Sequence, residues 1–236
     1  MIPVLLALAG LALTATPAGA AETVPAAESS QADGVKEGES ARSEDAARVS
    51  EWVAASGDHG KLPYIIIDKK AATAFLFDAT GKSLGHAPVL IGIAPGDEAT
   101  PGIGSKNLSE IGPAEKTTPA GRFLAKFGVA AGKQQVLWVD YATSVALHTI
   151  PPGNPKEKRR DRMLSPTADD NRITFGCINV PKLFYAKSVS PLFRKKGGYV
   201  YVLPDTKPLE AVFPRLRVQP FLNAAAADAA RTASTD

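Results

Sequence analysis

The segment Thr174-Phe175-Gly176-Cys177-Ile178-Asn179 carries the only thiol in a chain of 236 residues. A thiolate is a potent nucleophile, but a thiol at its ordinary pKa of about 8.5 is mostly protonated at neutral pH. A cysteine nucleophile therefore needs a base or a positive field beside it. His148 is placed to be that base: it ends the apolar run 144–148 and precedes Thr149 and a long polar connection. Gly176 permits close backbone approach, and the N–H groups of Gly176 and Cys177 are candidate oxyanion donors. Thr118-Pro119-Ala120-Gly121-Arg122-Phe123 comes earlier in the chain and reads as a structural turn that shapes a groove. Taken singly, Cys177 reads as readily as an inert buried thiol, and His148 as a hydrogen-bonded structural ring. Together they point to acyl transfer through a thioester, with the imidazole moving the proton.

Other chemistries find little footing. Three widely separated histidines (His59, His86, His148) and one cysteine give no metal-ligand spacing, so no metal and no cofactor are expected. His59 and His86 read as surface or loop residues. Serine nucleophile elbows and phosphate loops are absent. A net charge of +3 does not argue for nucleic acid. A single cysteine excludes an internal disulfide.

These residues must be positioned by a scaffold of short strands. Tyr64-Ile65-Ile66-Ile67 and Ala74-Phe75-Leu76-Phe77 are β-branched and aromatic runs, with turn residues Asp78-Ala79-Thr80-Gly81 after the second. Further strands are expected over 89–93, 121–129, 136–141, 144–148 and 199–203. A helix is expected to open at Pro181, to break or kink at Pro191 and to stop at Gly197-Gly198, which places Cys177 just before a helix N-terminus. Residues 41–55 suit a short helix with Val49, Trp52 and Val53 on one side. Many strands with little helix indicate a mainly β fold, a sandwich or barrel with a few short helices. The connections 94–117 and 149–173 are long enough to be functional, and both are expected to rim a cleft holding His148 and Cys177.

The ends of the chain carry a different message. Residues 2–13 are almost wholly apolar, and Ala18-Gly19-Ala20 has the small-x-small pattern of a signal-peptidase site. A cleaved signal peptide over 1–20 makes the protein exported, to the periplasm or cell envelope. No later segment is apolar and long enough to read as a membrane span. Residues 21–60 read as a flexible linker with the possible helix, 61–205 as the catalytic domain, and 206–236 as an extension that is mobile at its end.

The ordered set Thr-Pro-x-Gly-x-Phe, strand-ending His and Thr-x-Gly-Cys-Ile-Asn resembles the catalytic domain of the L,D-transpeptidases, the YkuD-type domain, across residues 62–204. The resemblance implies a β-sandwich or barrel-like fold acting on peptidoglycan stem peptides. Cys177 would attack the carbonyl of the third stem residue, usually diaminopimelate, and D-alanine would leave. An amine of another stem or of a lipoprotein would resolve the thioester; water would make the protein an L,D-carboxypeptidase. In this reading His148 is the general base and acid, Thr149 orients it, and Gly176 and Cys177 form the oxyanion hole. Thr174, Phe175 and Asn179 would face the substrate. The chain departs from the family at three places. Phe175 replaces a histidine, Asn179 replaces an arginine that suits a substrate carboxylate, and the His-to-Cys interval is longer. The 149–173 connection holds Lys156, Lys158, Arg159, Arg160 and Arg162. It reads as a solvated charged loop or as an electrostatic lip for anionic stems. Phe175 motivates an alternative, a wall-binding or regulatory module without turnover. A thiol hydrolase of the NlpC/P60 type places its cysteine before its histidine, the reverse of the order here.

Overall fold

A computed structural model describes residues 42–218 together with 220, 221, 223–225, 227 and 231. The signal peptide expected over 1–20, and the linker up to residue 41, lie outside the described residues.

The centre of the molecule is the pair β1 (Tyr64–Asp68) and β10 (Gly198–Val202), which run parallel. Every residue of β1 is buried, as expected of a strand covered on both faces. β2 (Thr73–Phe77) and β3 (Ser83–Pro88) extend the sheet on one side. β5 (Gly121–Val129), β6 (Gln135–Asp140), β7 (Val145–Thr149) and β9 (Ile178–Val180) extend it on the other. The order is β3-β2-β1-β10-β5-β6-β7-β9. The sheet curls until Leu90, just past β3, exchanges two backbone hydrogen bonds of 2.9 Å with Asn179 on the opposite edge strand. The result is a mainly β, nearly closed sheet.

Alternation along the strands divides the core in two. Ile65 and Ile67 point to one side, with Leu76, Leu137, Leu147, Ile178 and Val200. Tyr64 and Ile66 point to the other, under Trp52, Val53 and Phe213. The second cluster is roofed by α1 (Glu44–Ser56). Ser43 accepts a hydrogen bond from the Ala46 N–H at its start, and Gly57 ends it in the left-handed conformation. Residues 44–56 thus pack onto the body rather than linking to it. Leu209 of α5 (Leu209–Val212), with Phe213 and Leu216, seals the same cluster.

Several elements differ from expectation. The third strand is 83–88 rather than 89–93, because Asp78 accepts backbone N–H groups of Thr80 and Lys82 and turns the chain straight back. Val89, Leu90 and Ile91 instead cross the core, and Ile91–Gly92 forms β4, parallel to β8 (Arg172–Thr174). The helical segment runs through Pro191: α3 (Lys182–Phe184) passes into a π turn over Tyr185–Val189, then α4 (Ser190–Phe193). The π turn restarts the hydrogen-bond register, so Pro191 falls in a first turn where its missing N–H costs nothing. His59 and His86 are buried, not surface residues. His59 packs on Tyr64 with Nδ1 2.9 Å from the Leu62 carbonyl, and His86 lies against Phe75. No helix among the described residues is long and apolar enough to cross a membrane.

A buried ion cluster braces the motif segment at 118. Lys69, 1% exposed, reaches Asp97 at 3.0 Å and Asp205 at 3.2 Å, and donates to the Thr118 carbonyl at 2.9 Å. Asp97 also accepts the N–H groups of Asp205, Thr206 and Lys207, which ties the chain beyond β10 to the 94–117 connection.

Candidate active site

The site is built on the β7–β9 ladder. Leu147 pairs with Ile178 and His148 with Asn179, so Ala146 stands level with Cys177. Leu147 and Ile178 point into the core. Alternation then sends Ala146 and His148, and Cys177 and Asn179, to the opposite face. His148 and Cys177 are diagonal neighbours on adjacent strands, a spacing within reach of longer side chains. Both are half-buried.

The thiol donates to the Ser144 carbonyl at 3.8 Å. Burial pushes its pKa up, while the Ala146 N–H and the positive charge of Arg159 pull the other way. No hydrogen bond joins the thiol to His148 among the described residues; its partners are backbone groups at the start of β7. Ser144 holds its own backbone in the left-handed region, at a φ of 58°, where the turn into β7 presents its carbonyl to the sulfur. The helix begins at Lys182, one residue past the expected Pro181, and β9 stands between its start and Cys177.

His148 Nδ1 lies 2.7 Å from the Thr149 carbonyl. A carbonyl only accepts, so Nδ1 carries the proton and Nε2 is the basic nitrogen. Burial lowers the ring's pKa, the Thr149 carbonyl opposes this, and Arg159 lowers it further. The shift favours the neutral ring. Asn179 Nδ2 lies 3.5 Å from each ring nitrogen, in contact with the ring, and with Nδ1 protonated only Nε2 can accept from it.

Gly176 has a φ of +123°, and an added Cβ would stand 2.7 Å from the Thr117 carbonyl. The close approach that demands glycine is thus to the chain's own backbone. Its N–H donates to Thr174 Oγ1 at 3.2 Å, and its carbonyl accepts from Thr118 Oγ1 at 2.8 Å. Thr174 Oγ1 in turn donates to the Cys177 carbonyl at 2.6 Å. Thr174 is therefore a buried brace of the turn before the cysteine. Thr118 also accepts the Gly92 N–H at 2.9 Å, which wedges its segment between Gly92 and Gly176. Phe175 is 38% exposed, with the Lys116 ammonium 3.7 Å from its ring centroid.

The two long connections border the site from opposite sides. Residues 94–117 pack on the thiol side: the Gly104 carbonyl accepts from Ser144 Oγ, and Lys116 covers Phe175. Residues 149–173 contain α2 (Arg159–Met163). Arg159 turns inward from it, donating to Glu157 at 2.6 Å and to Asn179 Oδ1 at 3.2 Å. Beside this, a cavity of about 360 Å³ opens between α2 and the ends of β7 and β9, with Ile150, Met163, Leu164 and Val180 in its lining. Ser144 and Ala146 carried no signal in the sequence, because they act through backbone groups. Arg159 stood in the basic run with nothing to separate it from its neighbours. Among the described residues, no cluster of His, Cys, Asp and Glu could hold a metal.

No family model and no curated protein matches the chain. Among solved structures it is similar to the NMR structure of the catalytic domain of an E. faecium L,D-transpeptidase, at 17% identity and a TM-score of 0.30, over 61% of this chain and 98% of that one.

Proposed function

We propose that the protein is a peptidoglycan L,D-transpeptidase-like cysteine acyltransferase, exported to the cell envelope and acting on stem peptides. The observation that carries this reading is the pairing of β7 with β9. It sets a neutral imidazole, with Nδ1 tied to the Thr149 carbonyl, diagonally across from the thiol. The ordered motifs around Thr118, His148 and Cys177 supply the reaction class.

The thiol leaves the Ser144 carbonyl. His148 Nε2 takes its proton as sulfur attacks the stem carbonyl. The tetrahedral intermediate collapses to a thioester, and the departing D-alanine amine takes the proton back from the imidazolium. An amine of a second stem, or of a lipoprotein, then attacks the thioester, gives its proton to His148 and restores the thiol. The Gly176 N–H is engaged with Thr174, so an oxyanion role for it requires that contact to open.

Incubation with a carbapenem or a stem tetrapeptide, followed by intact-mass measurement, tests the reading. A covalent adduct in the wild type and none in Cys177→Ala is the expected outcome. Product analysis with a disaccharide-tetrapeptide separates transpeptidation from carboxypeptidation. The thiol's bond to Ser144 and its raised pKa favour a second reading, a peptidoglycan-binding module without turnover. Retained wall binding with no adduct would select it.

A further inference from the structure

The basic run of the 149–173 connection has an inward-facing member. Arg159 opens α2, yet its side chain is only 17% exposed, whereas those of Lys156, Lys158 and Arg160 are in exposed residues. Its Nε is paired with Glu157, and its Nη1 donates to Asn179 Oδ1. Asn179 is 1% exposed on β9, two residues past Cys177, and its amide nitrogen lies 3.5 Å from both nitrogens of the His148 ring. A single carboxamide therefore stands between the guanidinium and the imidazole.

We propose that Arg159 is a positioning residue of the Cys177–His148 pair: through Asn179 it holds the imidazole in place and brings a fixed positive charge to the site. The inference rests on the reading of Cys177 as nucleophile and deepens it. The field acts on both groups. A fixed cation favours the thiolate, and it disfavours imidazolium, which keeps the resting ring unprotonated while making it a weaker base. Burial opposes the first effect, so the cation offsets a desolvation that the site cannot avoid. Other groups face the pair from the surrounding elements. Glu157 partly neutralises Arg159 from its own segment, and Lys116 stands over Phe175 from the 94–117 side. The remaining neighbours, Ser144 in the turn before β7, Ala146 on β7 and Asn179 on β9, contribute dipoles only.

The test reads the thiol without any cell-wall substrate. Alkylation of Cys177 by neutral iodoacetamide, followed from pH 5 to 10, gives the thiol's titration midpoint. In Arg159→Gln we expect that midpoint to rise by about half a unit to one unit, which is about a three- to ten-fold loss of alkylation rate below it. Arg159→Lys should restore most of the shift, since it returns the charge without the planar fork. Arg162→Gln removes a charge from the same helix whose guanidinium donates outward to the Asp170 carbonyl, and it should leave the midpoint in place. With a stem tetrapeptide, Arg159→Gln should lower the acylation rate constant more than it raises KM. An unmoved midpoint in Arg159→Gln, or an equal shift in Arg162→Gln, overturns the proposal. So does a rise in KM alone, which would make Arg159 a substrate anchor. Because alkylation needs only the thiol, these outcomes stand apart from success or failure of the wall-enzyme reading.

Discussion

At the scale of single residues, the chemistry turns on which nitrogen of His148 holds a proton and what competes for the thiol. The Nδ1–carbonyl contact fixes the tautomer, and burial lowers the ring's pKa. The acid limb of the acylation rate should therefore fall below the ordinary histidine value of about 6.5. A pH profile of the second-order rate with a carbapenem checks this; a limb above that value would mean the ring is stabilised as imidazolium. Cys177 and His148 stood out in the sequence as a candidate nucleophile and base because both flank motifs whose glycine, proline and hydroxyl residues imply turns. Arg159 did not. Charge counting finds five cations between 156 and 162, but it cannot say which one folds back over Asn179. Lys69 was equally hidden, since a lysine after an apolar strand reads as the start of a turn.

At the scale of elements, the site depends on how the Thr118 segment is wedged between Gly92 and Gly176. A Cβ at Gly176 would meet the Thr117 carbonyl at 2.7 Å from a backbone already at a φ of +123°. Gly176→Ala should cost about 1–3 kcal/mol of stability, read as a lower Tm, and should abolish adduct formation because the turn that presents Cys177 must shift. Full reactivity in that variant would show that the turn tolerates movement. The strands that carry the site were only partly visible beforehand. β7 announced itself by an apolar run ending in histidine. β8 and β9 span three residues each, too few for a period to show. Their pairing partners are distant in sequence. The 89–93 run reads as the third strand; only Ile91–Gly92 of it is a strand, β4, and Leu90 makes a single bridge to Asn179, because the turn at Asp78 makes 83–88 the third strand.

At the scale of the whole molecule, one buried charge cluster joins segments far apart in the chain. Removing Lys69 leaves Asp97 and Asp205 as buried carboxylates without their shared cation. Lys69→Met should therefore cost about 3–5 kcal/mol, measurable by urea unfolding. A near-neutral result would mean that Arg172, 2.7 Å from Asp205, suffices. The cluster also sets an acid response. Burial raises the Asp97 pKa, but the N–H groups of Asp205, Lys207 and Thr206 outweigh it and hold the carboxyl well below the usual range. A depressed folded-state pKa gives stability that is complete above the unfolded value of about 3.9 and lost as pH falls through the folded one. Thermal melts from pH 7 to 2 should show Asp97→Asn less stable than wild type, with the gap narrowing only in strong acid. The same arrangement has a bearing on timing. Asp205 and residues 206–207 emerge long after Lys69 and Asp97, and β10, the central partner of β1, emerges almost as late. A chain made from its N-terminus cannot finish the surroundings of its own cysteine until residues 205–207 have been synthesised. The Cys177 sulfur therefore emerges before its setting does, and gains its final geometry only after the segment beyond β10 has closed on Lys69 and Asp97.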